Sequence, residues 1–155
     1  NVTNGNISTT GHVSRYGLYF AFAPSEIAGQ TSFTTLDLST VQIMDSDYYS
    51  ESAGTVTIRA PGLYKIDTSC NADLDSGRRE DAQCGIFISG SNYVSCGMYS
   101  RETAEGGTSC SNHITVKLAA GNLITLRFQS DNTNQDLGGF ASITKPATMS
   151  MEFLG

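Results

Sequence analysis

Apolar and polar residues alternate along much of this chain. Thr55–Ala60 places Val56 and Ile58 on one face, and Leu63–Cys70 places Tyr64 and Ile66 together. Ile114, Val116 and Leu118 alternate, as do Ile124, Leu126 and Phe128, and again Met149, Met151 and Phe153. A period of two is that of a half-buried β-strand. Tyr16–Phe22 is aromatic and apolar and ends before Pro24, which predicts a buried first strand. A loop over Ser25–Ser32 and a short strand over Phe33–Leu38 follow. Cys84–Ile88 and Asn92–Tyr99 predict a hairpin turning at Ser89-Gly90-Ser91. Ile114–Leu118 and Leu123–Phe128 predict another, turning at Gly121-Asn122. No apolar stripe of helical period runs for a useful length, and Ser25–Ala28 or Ala119-Ala120 could support one turn at most. The expectation is an all-β sandwich of about ten antiparallel strands.

Three polar stretches interrupt the strands: Asn71–Gln83, Tyr99–Ser109 and Ser130–Gly139. The first carries Asp73, Asp75, Arg78, Arg79, Glu80 and Asp81, too much charge to pack in a core. All three are expected to be solvent loops. Residues 1–14 are polar and unpatterned and read as a flexible leader, leaving 15–155 as one globular domain. At 155 residues the chain fits a single domain that can bury about two-thirds of its unfolded surface.

Charge narrows the partners. The net charge is −6, whereas nucleic-acid backbones call for clustered Lys and Arg. The one basic pair, Arg78-Arg79, is followed at once by Glu80-Asp81. No apolar run approaches the ~20 residues of a membrane-spanning helix. The four cysteines, at 70, 84, 96 and 110, are too far apart for a Cys-x-x-Cys pair. An even count in an acidic Ser/Thr/Gly-rich domain predicts two disulfides and an oxidising compartment. Asn1-Val2-Thr3 and Asn6-Ile7-Ser8 are N-glycosylation triplets, so Asn1 and Asn6 are candidate glycan acceptors of a secreted protein. The sequence opens at Asn1 rather than Met, as a processed or excised chain would.

Catalytic chemistry finds little support. The two histidines are His12, in the leader, and His113, opening a strand. No Gly-x-Ser-x-Gly elbow precedes a helix, and no His/Cys/carboxylate spacing supplies three metal ligands. The chain is expected not to be an enzyme and to need no cofactor. Calcium stays open: Asp73-x-Asp75-x-Gly77 echoes half of a calcium loop, without the closing Glu. The loops do offer sugar-binding chemistry. Asp131, Asn132, Asn134 and Asp136 supply directional hydrogen bonds within six residues, Arg101 adds donors, and Tyr99 adds a stacking face. The plainer alternative is that these residues make turns and plug the ends of the sandwich.

The block Tyr48…Gly54…Pro61-Gly62-Leu63-Tyr64 resembles the globular heads of the complement 1q and tumour necrosis factor superfamily, where an aromatic precedes a Gly-led strand and a Pro/Gly/Tyr motif opens the next. The aromatic first strand, Leu118-x-x-Gly121-Asn122 (Asn where the family commonly has Asp), Gly139-Phe140-Ala141 and the terminal Phe153-Leu154 extend the resemblance from about residue 15 onward. No collagen-like repeat accompanies it. The resemblance implies a jelly roll that trimerises through aromatic and apolar residues of one sheet, for which Tyr16, Tyr19, Tyr64, Phe140 and Phe153 are available. It also implies that the strands holding Cys70 and Cys110 lie side by side. With a hairpin centred on Gly90 facing Cys84 to Cys96, a nested pairing 84–96 and 70–110 is expected, with sequential pairing 70–84 and 96–110 as the rival. The functional expectation is a secreted carbohydrate-binding homotrimer, a lectin. The alternatives are the trimeric head of a viral fibre or surface filament, and a cytokine-like receptor ligand.

Overall fold

The computed structural model describes residues 17–74, 80–100, 106–131, 136–137 and 145–155. Among them are twelve strands and no helix: β1 (Leu18–Phe22), β2 (Thr34–Thr35), β3 (Thr40–Met44), β4 (Tyr49–Ser52), β5 (Thr55–Ile58), β6 (Gly62–Leu74), β7 (Glu80–Ile88), β8 (Ser91–Ser100), β9 (Gly106–Leu118), β10 (Leu123–Ser130), β11 (Asp136–Leu137) and β12 (Ala147–Phe153). All pairings are antiparallel. One sheet runs β9-β6-β12-β1-β3, and β11 continues beside β6 beyond the end of β12. The other runs β4-β5-β10-β7-β8, with β2 beside β10. The two form the β-sandwich that the alternation predicts, with the jelly-roll architecture that the resemblance implies.

The inner faces carry the core. Along β6 the inward side chains are Tyr64, Ile66, Thr68, Cys70 and Ala72, all buried. Along β7, read back from its turn, they are Ile88, Ile86, Cys84 and Ala82, and along β12, Phe153, Met151, Met149 and Ala147. Each series shrinks in the same direction. At the wide end Tyr49 stacks on Tyr19 (5.8 Å) and Tyr64 (5.9 Å), and Phe153 on Tyr48 (4.6 Å). Tyr49 donates its hydroxyl to the Gly17 carbonyl (3.0 Å) and Tyr64 to that of Ala60 (2.5 Å). Packing density can hold over such a taper only if the sheets converge.

The disulfides bridge the two sheets towards this narrow end, where the side chains of β6, β7 and β12 are smallest. The structure pairs Cys70 with Cys84 and Cys96 with Cys110, with Cα separations of 6.5 and 5.8 Å, well inside the ~10 Å usual between packed sheets. The expected register is present: Cys70 lies opposite Cys110 and Cys84 opposite Cys96. The expected bonds are not. Facing residues in one sheet hold their Cβ atoms about 4.5–5.5 Å apart, whereas a disulfide needs about 3.5–4.5 Å. The four cysteines therefore bond across the sandwich, in the sequential order. Asn112, also buried, reaches from β9 to the Cys84 carbonyl (3.2 Å) and the Cys96 sulfur (3.2 Å).

Other expectations are corrected. Ile114–Leu118 and Leu123–Phe128 do not form a hairpin: β9 joins one sheet and β10 the other, so their apolar residues meet across the core. Alternation shows which side chains point inward, not which sheet a strand joins. In the turn between them Asn122 accepts from the Ala119 amide (2.8 Å), a role its carboxamide oxygen shares with a carboxylate. The polar stretches Asn71–Gln83 and Tyr99–Ser109 are largely strand, because β6 and β9 pair as far as Leu74 and Gly106 and β7 and β8 as far as Glu80 and Ser100. Phe33–Leu38 contributes only the two residues of β2, and β3 has no counterpart in the alternation. Two turns are tight. Ala53-Gly54 has φ of 49° and 75°, and Ser89-Gly90 has 48° and 88°. A Cβ at Gly54 would lie 2.0 Å from the Leu36 carbonyl oxygen, so no other residue fits. One extra residue in β8, a bulge opposite Ile86/Phe87, restores the register that faces Cys84 to Cys96.

Peptide mapping without reduction is expected to recover fragments bridged 70–84 and 96–110, and a 70–110 fragment would refute the pairing. Each bridge closes a loop whose loss should cost about 3 kcal/mol. Alkali gives a second check. Burial pushes the Tyr64 phenol up from its ordinary value near 10 to about 12, and raises Tyr19 and Tyr49 further. A phenol with a raised folded-state pKa contributes its full stability below pH 10 and loses it as pH climbs towards the folded value. Stability should therefore fall from pH 10 upward, with these tyrosines ionising late in a 295 nm titration; early, fully reversible ionisation of all seven tyrosines would contradict their burial.

Candidate functional site

The narrow end of the sandwich collects the connections. The β6–β7 segment leaves from Leu74 and re-enters at Glu80, beside the β8–β9 segment between Ser100 and Gly106. Ser130 ends β10 opposite Ala82, and Asp136 resumes opposite Asp73. All three polar segments therefore attach at one end. The opposite end holds the Ser89-Gly90 and Ala119–Asn122 turns, together with Gly17 and Gly155, which bond to Phe153 and Leu63.

Of the residues expected to bind ligand, Asp131 and Tyr99 are described with their side chains, and both are exposed. The strand register brings them together through a residue the sequence reading did not single out, Asp81. Asp81 lies opposite Tyr99 across β7 and β8, and its carbonyl accepts from the Asp131 amide (2.9 Å) while the Asp131 carboxylate accepts from the Asp81 amide (3.3 Å). Two carboxylates and a phenol ring thus share one corner of the narrow end. The backbone of Asp136 sits nearby in β11, opposite Asp73. Arg101, Asn132 and Asn134 lie outside the described residues, as do Asn1, Asn6, Asp75 and Gly77. Among the described residues no group of three His, Cys, Asp or Glu side chains is placed to hold a metal ion.

The second surface is the outer face of the β9-β6-β12-β1-β3 sheet. Leu18 (41% exposed) and half-buried Phe20 and Phe22 point outward from β1, beside exposed Ile43, which lies opposite Phe20 on β3. Lys145 stands over the Phe22 and Phe20 rings, 4.8 and 5.6 Å from their centroids. Across β12 the face turns to hydroxyls, with Ser69 and Thr148 bonded at 2.8 Å. On β6 and β9 it becomes charged: Asp67 meets Lys65 at 3.0 Å and His113 at 2.9 Å. The aromatics expected on this face are elsewhere. Tyr19 and Tyr64 are buried in the core and Phe153 packs against it, because they occupy inward positions of their strands. Tyr16 and Phe140 lie outside the described residues.

No family model and no curated protein matches the chain. Solved structures do. Crystal structures of murine APRIL at pH 8.0, 8.5 and 5.0 superpose with TM-scores of 0.59, 0.58 and 0.60, covering 90% of this chain and 100% of theirs at 10% identity. The likeness is one of fold, a jelly roll of the complement 1q/tumour-necrosis-factor-like type. Fold likeness at this identity leaves function to the sites.

Replacing Asp131 by Ala removes, among its contacts, the long hydrogen bond from the Asp81 amide, at an exposed position. The thermal midpoint should stay within a few degrees, since such changes usually cost under ~0.5 kcal/mol. A large loss of stability, read by calorimetry, would show that Asp131 holds the corner together instead of presenting a ligand surface.

Proposed function

We propose that this chain is the non-enzymatic recognition head of an extracellular homotrimer that binds a protein partner, as a cytokine-like ligand or surface head does. The observation that carries the reading is the apolar band of Leu18, Phe20, Phe22 and Ile43 on one sheet of a tumour-necrosis-factor-like sandwich. The resemblance read from the sequence places trimer contacts on one sheet, and this band groups adjacent apolar side chains on the outer face of one, although Leu63, Leu123 and Leu154 are exposed elsewhere. Second copies of the chain are its proposed occupants. Two disulfides fit an oxidising compartment, and no helix among the described residues is long and apolar enough to cross a membrane.

Light scattering at micromolar concentration should return three times the 16.5 kDa chain mass. Phe20→Glu with Phe22→Glu should return the single-chain mass while cooperative unfolding persists. A single-chain mass for the unaltered protein would overturn the trimer.

Carbohydrate binding is the second reading, supported by the Tyr99, Asp81 and Asp131 corner, which offers a stacking ring beside two carboxylates. Each such site would bind weakly, and three on one trimer would gain by avidity. A glycan array should then show signals that Tyr99→Ala and Asp131→Ala abolish; an array blank across all sugar classes would remove this reading and leave the protein-binding one.

A further inference from the structure

The two disulfides are not equivalent. Cys70–Cys84 joins β6 to β7, each of which has a strand on either side, and both of its cysteines are fully buried. Cys96–Cys110 joins β8 to β9, which end their sheets on one flank of the sandwich, and both of its cysteines are half-buried. A thiol arriving from solvent meets the outer bond first, and access decides which disulfide exchanges.

The two sulfurs of the outer bond also differ. Asn112 is buried on β9, two residues beyond Cys110. Its side-chain nitrogen lies 3.2 Å from the Cys84 carbonyl and 3.2 Å from the Cys96 sulfur. A carbonyl only accepts, so the carboxamide must face it with nitrogen and not with oxygen. One hydrogen of the NH2 group goes to the carbonyl, and the other is left for Cys96. In thiol–disulfide exchange a thiolate attacks one sulfur and the other departs as a thiolate. A hydrogen bond given to a charged form favours that form. Cys96 is therefore the better leaving group, and Cys110 the sulfur to attack.

We propose that Cys110 is a site of reversible S-thiolation. An external thiolate, from a low-molecular-weight thiol or from a protein's redox-active cysteine, bonds to the Cys110 sulfur. The Cys96–Cys110 bond breaks, and its electron pair leaves on Cys96 beneath the Asn112 amide. One disulfide is exchanged for another, so the step consumes no net oxidant or reductant. The released Cys96 faces Cys84 across β7 and β8. Facing positions in a sheet hold their Cβ atoms wider than a disulfide needs, so exchange does not spread to the inner bond. Return attack by Cys96 on Cys110 expels the thiol and restores the closed form. Throughout, Cys70–Cys84 keeps the two sheets joined while the β8–β9 flank is released.

The test incubates the whole folded chain with excess glutathione at about pH 8, where thiolate is plentiful. N-ethylmaleimide then traps free thiols, and unreduced peptides are mapped by mass spectrometry. Glutathione is expected on Cys110, maleimide on Cys96 and an intact 70–84 bridge, with the β-sheet circular dichroism retained. Asn112→Ala should slow the opening by about tenfold, the weight of one hydrogen bond to a charged group, and should spread glutathione over both cysteines. Should that variant fail to fold, the position of glutathione on the unaltered chain still decides. A thioredoxin-type protein lacking its resolving cysteine separates the sources. Its capture on Cys110 at concentrations where glutathione does not react assigns the site to a protein thiol, and equal reactivity assigns it to small thiols. Any of four results overturns the proposal: label on Cys70 or Cys84 as early as on Cys96, glutathione on Cys96 as often as on Cys110, opening only where the chain unfolds, or a folded Asn112→Ala chain with unchanged rate and unchanged glutathione position.

Discussion

The structure depends on how the sandwich is held shut where its core is thin. Buried apolar surface does most of the work of folding, but towards the narrow end the inward side chains dwindle to Ala72, Ala82 and Ala147. There the hydrophobic contribution per residue is small. Two inter-sheet disulfides and the Asn112 side chain bridge the sheets on this side. At the wide end the tyrosine and phenylalanine cluster needs no covalent help. The cross-links thus lie where the inward side chains of β6, β7 and β12 are smallest.

That division has consequences for recognition. The three polar segments attach at the cross-linked end, where the strands leading into them are anchored although little core lies beneath. Loops held by a rigid frame can vary without cost to the core. Gly17 and Gly155 sit at the other end, away from these segments. The outer sheet face is a third region, graded from apolar on β1 and β3 to charged on β6 and β9.

The likeness to APRIL at 10% identity shows how little of the chain the fold requires. Inward residues need only be apolar and of suitable size, and the tight turns need residues that tolerate positive φ. Almost every other position is free to change, which is why the fold is shared while the sites must be argued from this chain's own residues.

Local order was legible in the sequence. The period of two revealed most of the strands, and a hairpin centred on Gly90 revealed that Cys84 faces Cys96, a register the structure reaches with a Ser89-Gly90 turn and a bulge in β8. Even the taper can be read from Tyr64, Ile66, Thr68, Cys70 and Ala72. What no one-dimensional pattern holds is which sheet each strand joins, since an inward side chain looks the same in either layer. The disulfide partners turned on that choice: the cysteines facing each other within a sheet were read correctly, but the closer approach lay between sheets. On β1, where both faces are apolar, alternation does not say which face turns inward: Tyr19 and Ala21 do, and Phe20 and Phe22 take the outer face. The Asp81, Asp131 and Tyr99 corner joins residues far apart in the chain, so only the folded arrangement of strands could bring them together.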